Sequence, residues 1–340
     1  MKHYKLLLLL LLIMTPCILV SQNDTIVLKN NDKLVGEIKS MDRGVVTIET
    51  DYSDSDFTIT WIDIISIKSK QTYLMTLSDG TRINSSMYTK EGDSAVVTLK
   101  GYNNETVRIK DIVYINPVKK KFISRIVASV SFGYNITKSN NLSQLSINSN
   151  ISYTAYKWKL YGSYNQVRSN QDSVAATDRM DASAGLKYFM KNDWFYSLSG
   201  DFLSNDEQKL QLRSTVKSGM GKYVIHSNKM YFGGGFGLAF NNEKFTDINN
   251  TNRNSLEAYL GLALDIFDVK DFNLKTDATL YPSLTEGGRY RVDYNLNLKY
   301  DLPLDFFIKL GLTYNYDSKP VEGASVSDYV FQSTFGWEFN

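Results

Sequence analysis

From Ile126 to the C-terminus, apolar and polar residues alternate in one long segment after another, with almost no helical periodicity. A period of two marks a strand whose two faces meet different surroundings. Between 254 and 267, Leu256, Ala258, Leu260, Leu262, Leu264 and Ile266 share one face, against Glu257, Tyr259, Gly261, Ala263 and Asp265. Between 290 and 302, Val292, Tyr294, Leu296, Leu298 and Tyr300 oppose Arg291, Asp293, Asn295, Asn297 and Lys299. The last segment sets Tyr329, Phe331, Phe335, Trp337 and Phe339 against Val330, Gln332, Thr334, Gly336 and Glu338. Segments of this kind at about 126–138, 142–156, 158–168, 178–190, 194–204, 210–225, 229–241, 254–267, 272–284, 290–302, 306–317 and 327–340 predict twelve strands.

The connections alternate as well. Tyr156-Lys157, Lys191-Asn192-Asp193, His226-Ser227-Asn228, residues 268–271 and Pro303-Leu304-Asp305 are tight, while others, such as 242–253 and 318–326, are longer and polar. Short turns at one end and long loops at the other are the asymmetry of outer-membrane barrels. Alternation alone does not say which face is inside. A soluble barrel would turn its apolar face inward, and eight strands already leave an interior that side chains can just fill. Twelve would leave an apolar void too wide to pack, which is costly. Facing lipid with the apolar side removes that difficulty, because a closed barrel satisfies its backbone groups internally. The pattern therefore predicts an all-β chain: a transmembrane β-barrel of about twelve antiparallel strands over 126–340, behind a small all-β periplasmic domain.

On this register the lumen receives Arg125, Lys159, Lys187, Arg213, Lys217, Lys275, Arg291, Lys299 and Lys309. It also receives Asp181, Asp201, Glu257, Asp265, Asp277, Asp293, Asp301 and Glu338. The two signs nearly balance. They form either a salt-bridged plug or a narrow polar channel, and the cost of an unpaired buried charge favours pairing. Aromatic residues cluster beside the turns: Tyr156, Trp158, Trp194, Tyr223, Tyr231, Tyr281, Tyr290, Tyr316, Trp337 and Phe339 are expected to form interfacial girdles.

At the N-terminus, Lys2 and Lys5 flank the start of an unbroken apolar run, Leu6 to Ile13, followed by Ser21 and Gln22. This reads as a secretory signal peptide over 1–21, cleaved near Ser21; the run is short for a membrane anchor. The single cysteine, Cys17, lies inside it, so the mature chain is expected to hold no disulfide and no thiolate. Without Lys2 and Lys5 the 38 basic residues become 36, equal to the 36 acidic ones, and no basic stripe points to nucleic acid. Residues 24–117 read as two copies of one β unit, 24–69 and 72–117. Val45-Val46-Thr47-Ile48 answers Val96-Val97-Thr98-Leu99, and Asp63-Ile64-Ile65-Ser66-Ile67 answers Asp111-Ile112-Val113-Tyr114-Ile115. Two such units have thin cores and are expected to pack on each other. Lys119-Lys120-Lys121 falls in a linker over 118–125, either solvated or touching anionic head groups.

Ser131-Phe132-Gly133-Tyr134-Asn135, Ser218-Gly219-Met220-Gly221-Lys222-Tyr223 and Phe232-Gly233-Gly234-Gly235-Phe236-Gly237, with the strand spacing up to Phe335-Gly336-Trp337, give residues 122–340 a resemblance to the YdiY-like, salt-induced outer-membrane barrels. That family is itself a domain of unknown function. Leu34-Val35-Gly36-Glu37-Ile38 and Trp61-Ile62-Asp63-Ile64 resemble the Sm-like or SH3-like units that can precede such barrels. The resemblance implies a location, a fold and a stress-related setting, and no activity.

Chemistry finds little support. Nucleophilic or acid–base hydrolysis of the Ser-His type needs an imidazole, and the mature chain has only His226, in a tight turn at the periplasmic end, where a solvated role is expected. One His and no Cys cannot build a zinc site. Asp51-Tyr52-Ser53-Asp54-Ser55-Asp56 lacks the Gly and closing Glu of a calcium loop. Gly233-Gly234-Gly235-Phe236-Gly237 lacks the Lys-Ser/Thr and helix of a phosphate loop, and fits a closely packed barrel strand. The expectation is a non-enzymatic barrel without cofactor, acting as a small pore or an envelope structural protein. Its partners would be outer-membrane lipid, the barrel-insertion machinery and, for the repeats, a periplasmic protein or the cell wall. The alternative is a surface receptor or adhesin working through 242–253 and 318–326; an outer-membrane hydrolase ranks last.

Overall fold

A computed structural model describes residues 24–90, 96–100, 104–119, 125–138, 141–206, 210–246, 252–269, 271–321 and 325–337. The signal-peptide reading, with Lys2, Lys5, Cys17 and Ser21, lies outside these residues, as do Glu338 and Phe339.

The N-terminal part holds ten short strands: β1 (Asp24–Leu28), β2 (Lys33–Asp42), β3 (Val45–Glu49), β4 (Phe57–Thr60), β5 (Ile64–Lys68), β6 (Tyr73–Leu77), β7 (Arg82–Thr89), β8 (Val96–Lys100), β9 (Thr106–Arg108) and β10 (Ile112–Pro117). A 3₁₀ turn precedes the last strand of each repeat, Trp61–Asp63 before β5 and Ile109–Asp111 before β10. Each half pairs its first strand with its second and fifth. The halves then join reciprocally: β5 pairs with β7 and β10 with β2, closing a ring of six strands into a small barrel. Ile26, Ile38, Met41, Val46 and Ile48 from one repeat and Met75, Ile83, Met87, Val97 and Leu99 from the other form one core. Neither repeat could bury that area alone. Trp61 fills the centre, and its indole N–H donates to the Ile109 carbonyl of the other repeat's 3₁₀ turn at 2.9 Å. Buried Asp24 accepts hydrogen bonds from Tyr73, from the Lys70 amide at 2.9 Å and from the Ile38 amide at 3.2 Å. Burial, and then the Asp24 charge, push the Tyr73 phenol well above the usual tyrosine range.

The C-terminal part is a single antiparallel meander of twelve strands: β11 (Ile126–Thr137), β12 (Leu142–Thr154), β13 (Trp158–Gln171), β14 (Val174–Phe189), β15 (Trp194–Asn205), β16 (Leu210–His226), β17 (Met230–Phe245), β18 (Asn252–Val269), β19 (Phe272–Pro282), β20 (Tyr290–Asp301), β21 (Phe306–Asp317) and β22 (Ser327–Trp337). Three expectations change. The connection expected over 169–177 is a tight hairpin in which Gln171 pairs with Val174 and Ser173 takes φ 66°. Of the connection expected over 242–253, residues 242–245 and 252–253 are strand, and β17 and β18 stay paired as far as Lys244 and Asn252. In both places a run of consecutive polar residues, Ser169-Asn170-Gln171-Asp172-Ser173 and Asn241-Asn242-Glu243-Lys244, erases the alternation that marks strands elsewhere. The third concerns closure. The sheet curls around a lumen, but β11 and β22 are not hydrogen-bonded to each other among the described residues. An edge in water keeps its N–H and C=O groups hydrated; the force that closes a seam is loss of that water in hydrocarbon.

Burial in this sheet is inverted. Phe236, Leu238 and Phe240 are 54%, 50% and 51% exposed on the outer face, whereas Ala239, Asn241 and Glu243, between and beyond them, are fully buried. Leu260 and Leu262 are exposed and Glu257 is not. The N-terminal barrel sits against the tight turns. Asn228 donates to the Lys110 and Ile112 carbonyls at 3.0 and 2.9 Å, Tyr231 donates to Asp42 at 3.0 Å, and Arg43 pairs with Asp265 at 2.8 Å. Gly44 and Gly80 lie at φ 70° and 81°, and a Cβ on either would come within 2.3 Å of Asn228 O or Asp193 N respectively. Only glycine meets both demands.

Candidate functional site

The concave face of the large sheet and the N-terminal barrel together enclose the lumen, which is organised in levels. At the end away from the N-terminal barrel lies a charge lattice. Arg213 Nη2 reaches Glu243 Oε1 at 2.6 Å, and Arg289 Nη2 reaches Glu243 Oε2 at 3.2 Å and Asp317 Oδ2 at 2.6 Å. Glu286 joins Arg289 at 3.2 Å to Arg253 at 3.0 Å. Beside them Arg291 holds Glu257 through two bonds, 2.6 and 3.1 Å. Four guanidinium groups meet four carboxylates, and Glu243, Glu257, Arg289 and Arg291 are buried. Bidentate arginine–carboxylate geometry and full pairing are what allow such charges to leave water. At this level opposite charges meet in pairs on the lumen side.

Below the lattice, Lys217 pairs with Asp201 at 2.9 Å, and the Arg291 guanidinium lies 4.9 Å from the Tyr281 ring centre. Near the N-terminal barrel is a cavity of about 560 Å³ whose lining includes Lys159, Lys187, Phe195, Tyr223, Tyr259 and, from the N-terminal barrel, Arg82. Arg82 stacks 4.1 Å from the Phe189 ring centre and donates to the Ala155 carbonyl at 3.4 Å; its Nε has no hydrogen-bond partner among the described residues. Burial lowers the Arg82 pKa. Tyr259 lies across Gly219 and Gly237, where a Cβ would come within 2.2 Å of its hydroxyl and 2.8 Å of its ring. Those glycines clear space for an aromatic side chain.

The register places most of the predicted lumen charges together. Lys159, Lys187, Lys217, Asp265, Lys275 and Asp277 line this cavity, with Asp293 near Lys217 and Arg291. Lys299 and Lys309 line a neighbouring recess and lie over the Phe307 ring, and Lys299 pairs with Asp301 at 2.8 Å. Asp181 is bound by Arg179 on its own strand at 3.1 Å. Arg125 precedes β11 and donates to the Lys119 carbonyl of the linker at 2.6 Å and to the Tyr153 hydroxyl at 3.5 Å. Of the expected girdle, Tyr156, Trp158, Tyr290 and Trp337 are exposed, Tyr316 stacks on Tyr290 at 5.5 Å, and Trp194 faces Lys222 on the outer side. Tyr223, Tyr231 and Tyr281 are corrected: they point into the lumen, Tyr223 and Tyr281 on the same face of their strands as Lys217 and Lys275, and Tyr231 directly across from Asp265. Their hydroxyls let them line a polar interior. His226 is also corrected. It is not a solvated turn residue: its Nδ1 lies 2.8 Å from Asp193 Oδ1, and its ring packs between Tyr223 and Tyr231. Glu243, Glu286, Arg253 and Arg289 escaped sequence reading. Period two carried past residue 241 would have placed Glu243 inside, but nothing marks a loop arginine that folds inward.

Among the described residues, no group of three or more His, Cys, Asp or Glu side chains is placed to hold a metal. No curated protein matches the sequence. The family model described as "Protein of unknown function, DUF481" matches residues 130–339, in keeping with the YdiY-like resemblance and beginning beyond the N-terminal repeats, and the chain therefore belongs to that family.

Proposed function

We propose that the protein is a non-enzymatic outer-membrane barrel of a Gram-negative envelope. Its N-terminal barrel lies in the periplasm and closes the lumen from below, and its role is structural and tied to envelope stress. The observation that carries this reading is the inverted burial: phenylalanine and leucine outside, paired Glu and Arg inside. A water-soluble sheet of this size would bury the opposite face. A lumen stoppered by a charge lattice at one end and a folded domain at the other favours the structural role over the small pore. Outer-membrane lipid and the insertion machinery follow as partners, and the exposed side of the repeats is left for a periplasmic protein or the cell wall. Fractionation of cells expressing the full precursor, with gel mobility compared before and after boiling, tests location and fold together. Recovery in the outer-membrane fraction with faster migration of the unboiled band is expected. A detergent-free soluble protein with a single band position rejects it. Planar-bilayer recording then separates the roles: the structural reading expects no steady single-channel current, and reproducible steps would restore the pore.

A further inference from the structure

We propose that the cavity beside the N-terminal barrel binds a small anionic amphiphile, a phosphate or carboxylate head on an aromatic or apolar body. The head would be held between Lys159 and Lys187, and the inference goes beyond the structural role. Lys159 and Lys187 are direct cross-strand partners on β13 and β14. Their side chains therefore stand side by side on the lumen face. Like charges directly opposite one another destabilise a sheet. Most other cations of this lumen stand against carboxylates: Arg43 with Asp265, Lys217 with Asp201, Lys275 directly across from Asp265; the other cross-strand lysine pair, Lys299 and Lys309, has Asp301 at 2.8 Å from Lys299. Among the described residues neither Lys159 nor Lys187 forms an ion pair, and the carboxylates that line the same cavity, Asp42, Asp193, Asp265 and Asp277, stand on other strands and turns. The partner of Lys159 on the other side is Thr154, and that of Lys187 is Ser197. The row thus reads hydroxyl, ammonium, ammonium, hydroxyl, a set of donors without an acceptor charge.

The surroundings fit the rest of such a ligand. Lys187 Nζ lies 4.3 Å from the Phe195 ring centre, and Arg82 overhangs Phe189. Arg82 brings a third cation with an unpartnered Nε to the same cavity. The aromatic walls of Phe195, Tyr223 and Tyr259 offer flat faces for a ring or chain. A volume of about 560 Å³ lies in the range that small-molecule sites occupy. An anion between the two lysines converts a repulsion into two charge-assisted hydrogen bonds.

Titration calorimetry on the full mature chain in non-ionic micelles, at low salt, tests this with 2-naphthyl phosphate as probe. The result does not depend on where the protein resides in the cell. Saturable binding is expected, weakened at least tenfold by Lys187→Gln or Lys159→Gln and largely retained by Lys187→Arg. Lys222→Gln, on the outer face, should leave it unchanged. Equal affinity for uncharged 2-naphthol, or unchanged affinity in both Lys→Gln variants, overturns the proposal. Short-chain phosphatidic acid separates the sources: competition identifies a lipid head group, and failure to compete identifies a soluble solute. Stability supplies a second readout. Removing one of two unpaired like charges should not lower the melting temperature of the ligand-free protein, and added probe should raise it in the wild type, Lys187→Arg and Lys222→Gln but much less in Lys187→Gln and Lys159→Gln. A lower melting temperature for Lys187→Gln with probe stabilisation intact would make the lysine merely structural and overturn the site.

Discussion

Glu257 and Arg291 show what the lumen demands of single residues. Both are buried, and each satisfies the other through a two-bond contact. Removing one partner leaves an uncompensated charge where water is scarce, so Glu257→Leu is expected to cost about 3–5 kcal/mol. Replacing both, as Glu257→Leu with Arg291→Met, removes the charge and its desolvation together and should return most of that loss. Urea unfolding followed by tryptophan fluorescence checks both variants. A double variant as unstable as the single one would mean that the pair acts through the neighbouring lattice instead. Period two already put Arg213, Glu257 and Arg291 on the inner face. It also puts Tyr223 and Tyr281 there, and the girdle reading went astray by weighing nearness to a turn above parity. Arg289 was not legible at all, because its place follows from a loop folding onto Glu243 and Asp317.

At the scale of elements, the joint between the two barrels is made by turns. The Arg43-Gly44 turn meets Asn228, and the Asp79-Gly80 turn meets Asp193. Asn228→Ala deletes two hydrogen bonds to the N-terminal barrel without touching that barrel's own turns. At about 0.5–1.5 kcal/mol per bond, docking weakens by roughly 1–3 kcal/mol. Amide exchange on both sides of the joint, at 40–44 and 226–231, should then quicken roughly ten- to a hundredfold, while exchange in β3 and β8 stays put. Acceleration throughout the N-terminal barrel would show instead that it cannot hold its fold undocked. An offset near 50 residues brings two β-branched runs of the sequence into line, and both are strands, β3 and β8. The swap of edges, β5 to β7 and β10 to β2, was not readable, since a strand's composition does not name its partner.

The whole molecule turns on the seam between β11 and β22. Phe132, Tyr134 and Ile136 on one strand and Tyr329, Phe331, Phe335 and Trp337 on the other are strongly exposed, and among the described residues each strand is paired along one edge only. In hydrocarbon every unpaired N–H or C=O costs several kcal/mol, so a bilayer cannot tolerate both edges open. An even number of strands makes the first and last antiparallel, the arrangement that can pair directly. Lipid insertion is therefore expected to bring β11 and β22 together. Their seam-facing amides should exchange readily in the lipid-free chain and slow in vesicles to the level of the β16–β17 ladder. The total protected should not vary with protein density in the membrane. Protection that grows with density would instead pair each edge with a second copy. Seam amides that stay fast in vesicles would leave the open sheet as the native form and exclude it from a bilayer, since no side-chain pattern compensates for a row of bare backbone groups in lipid.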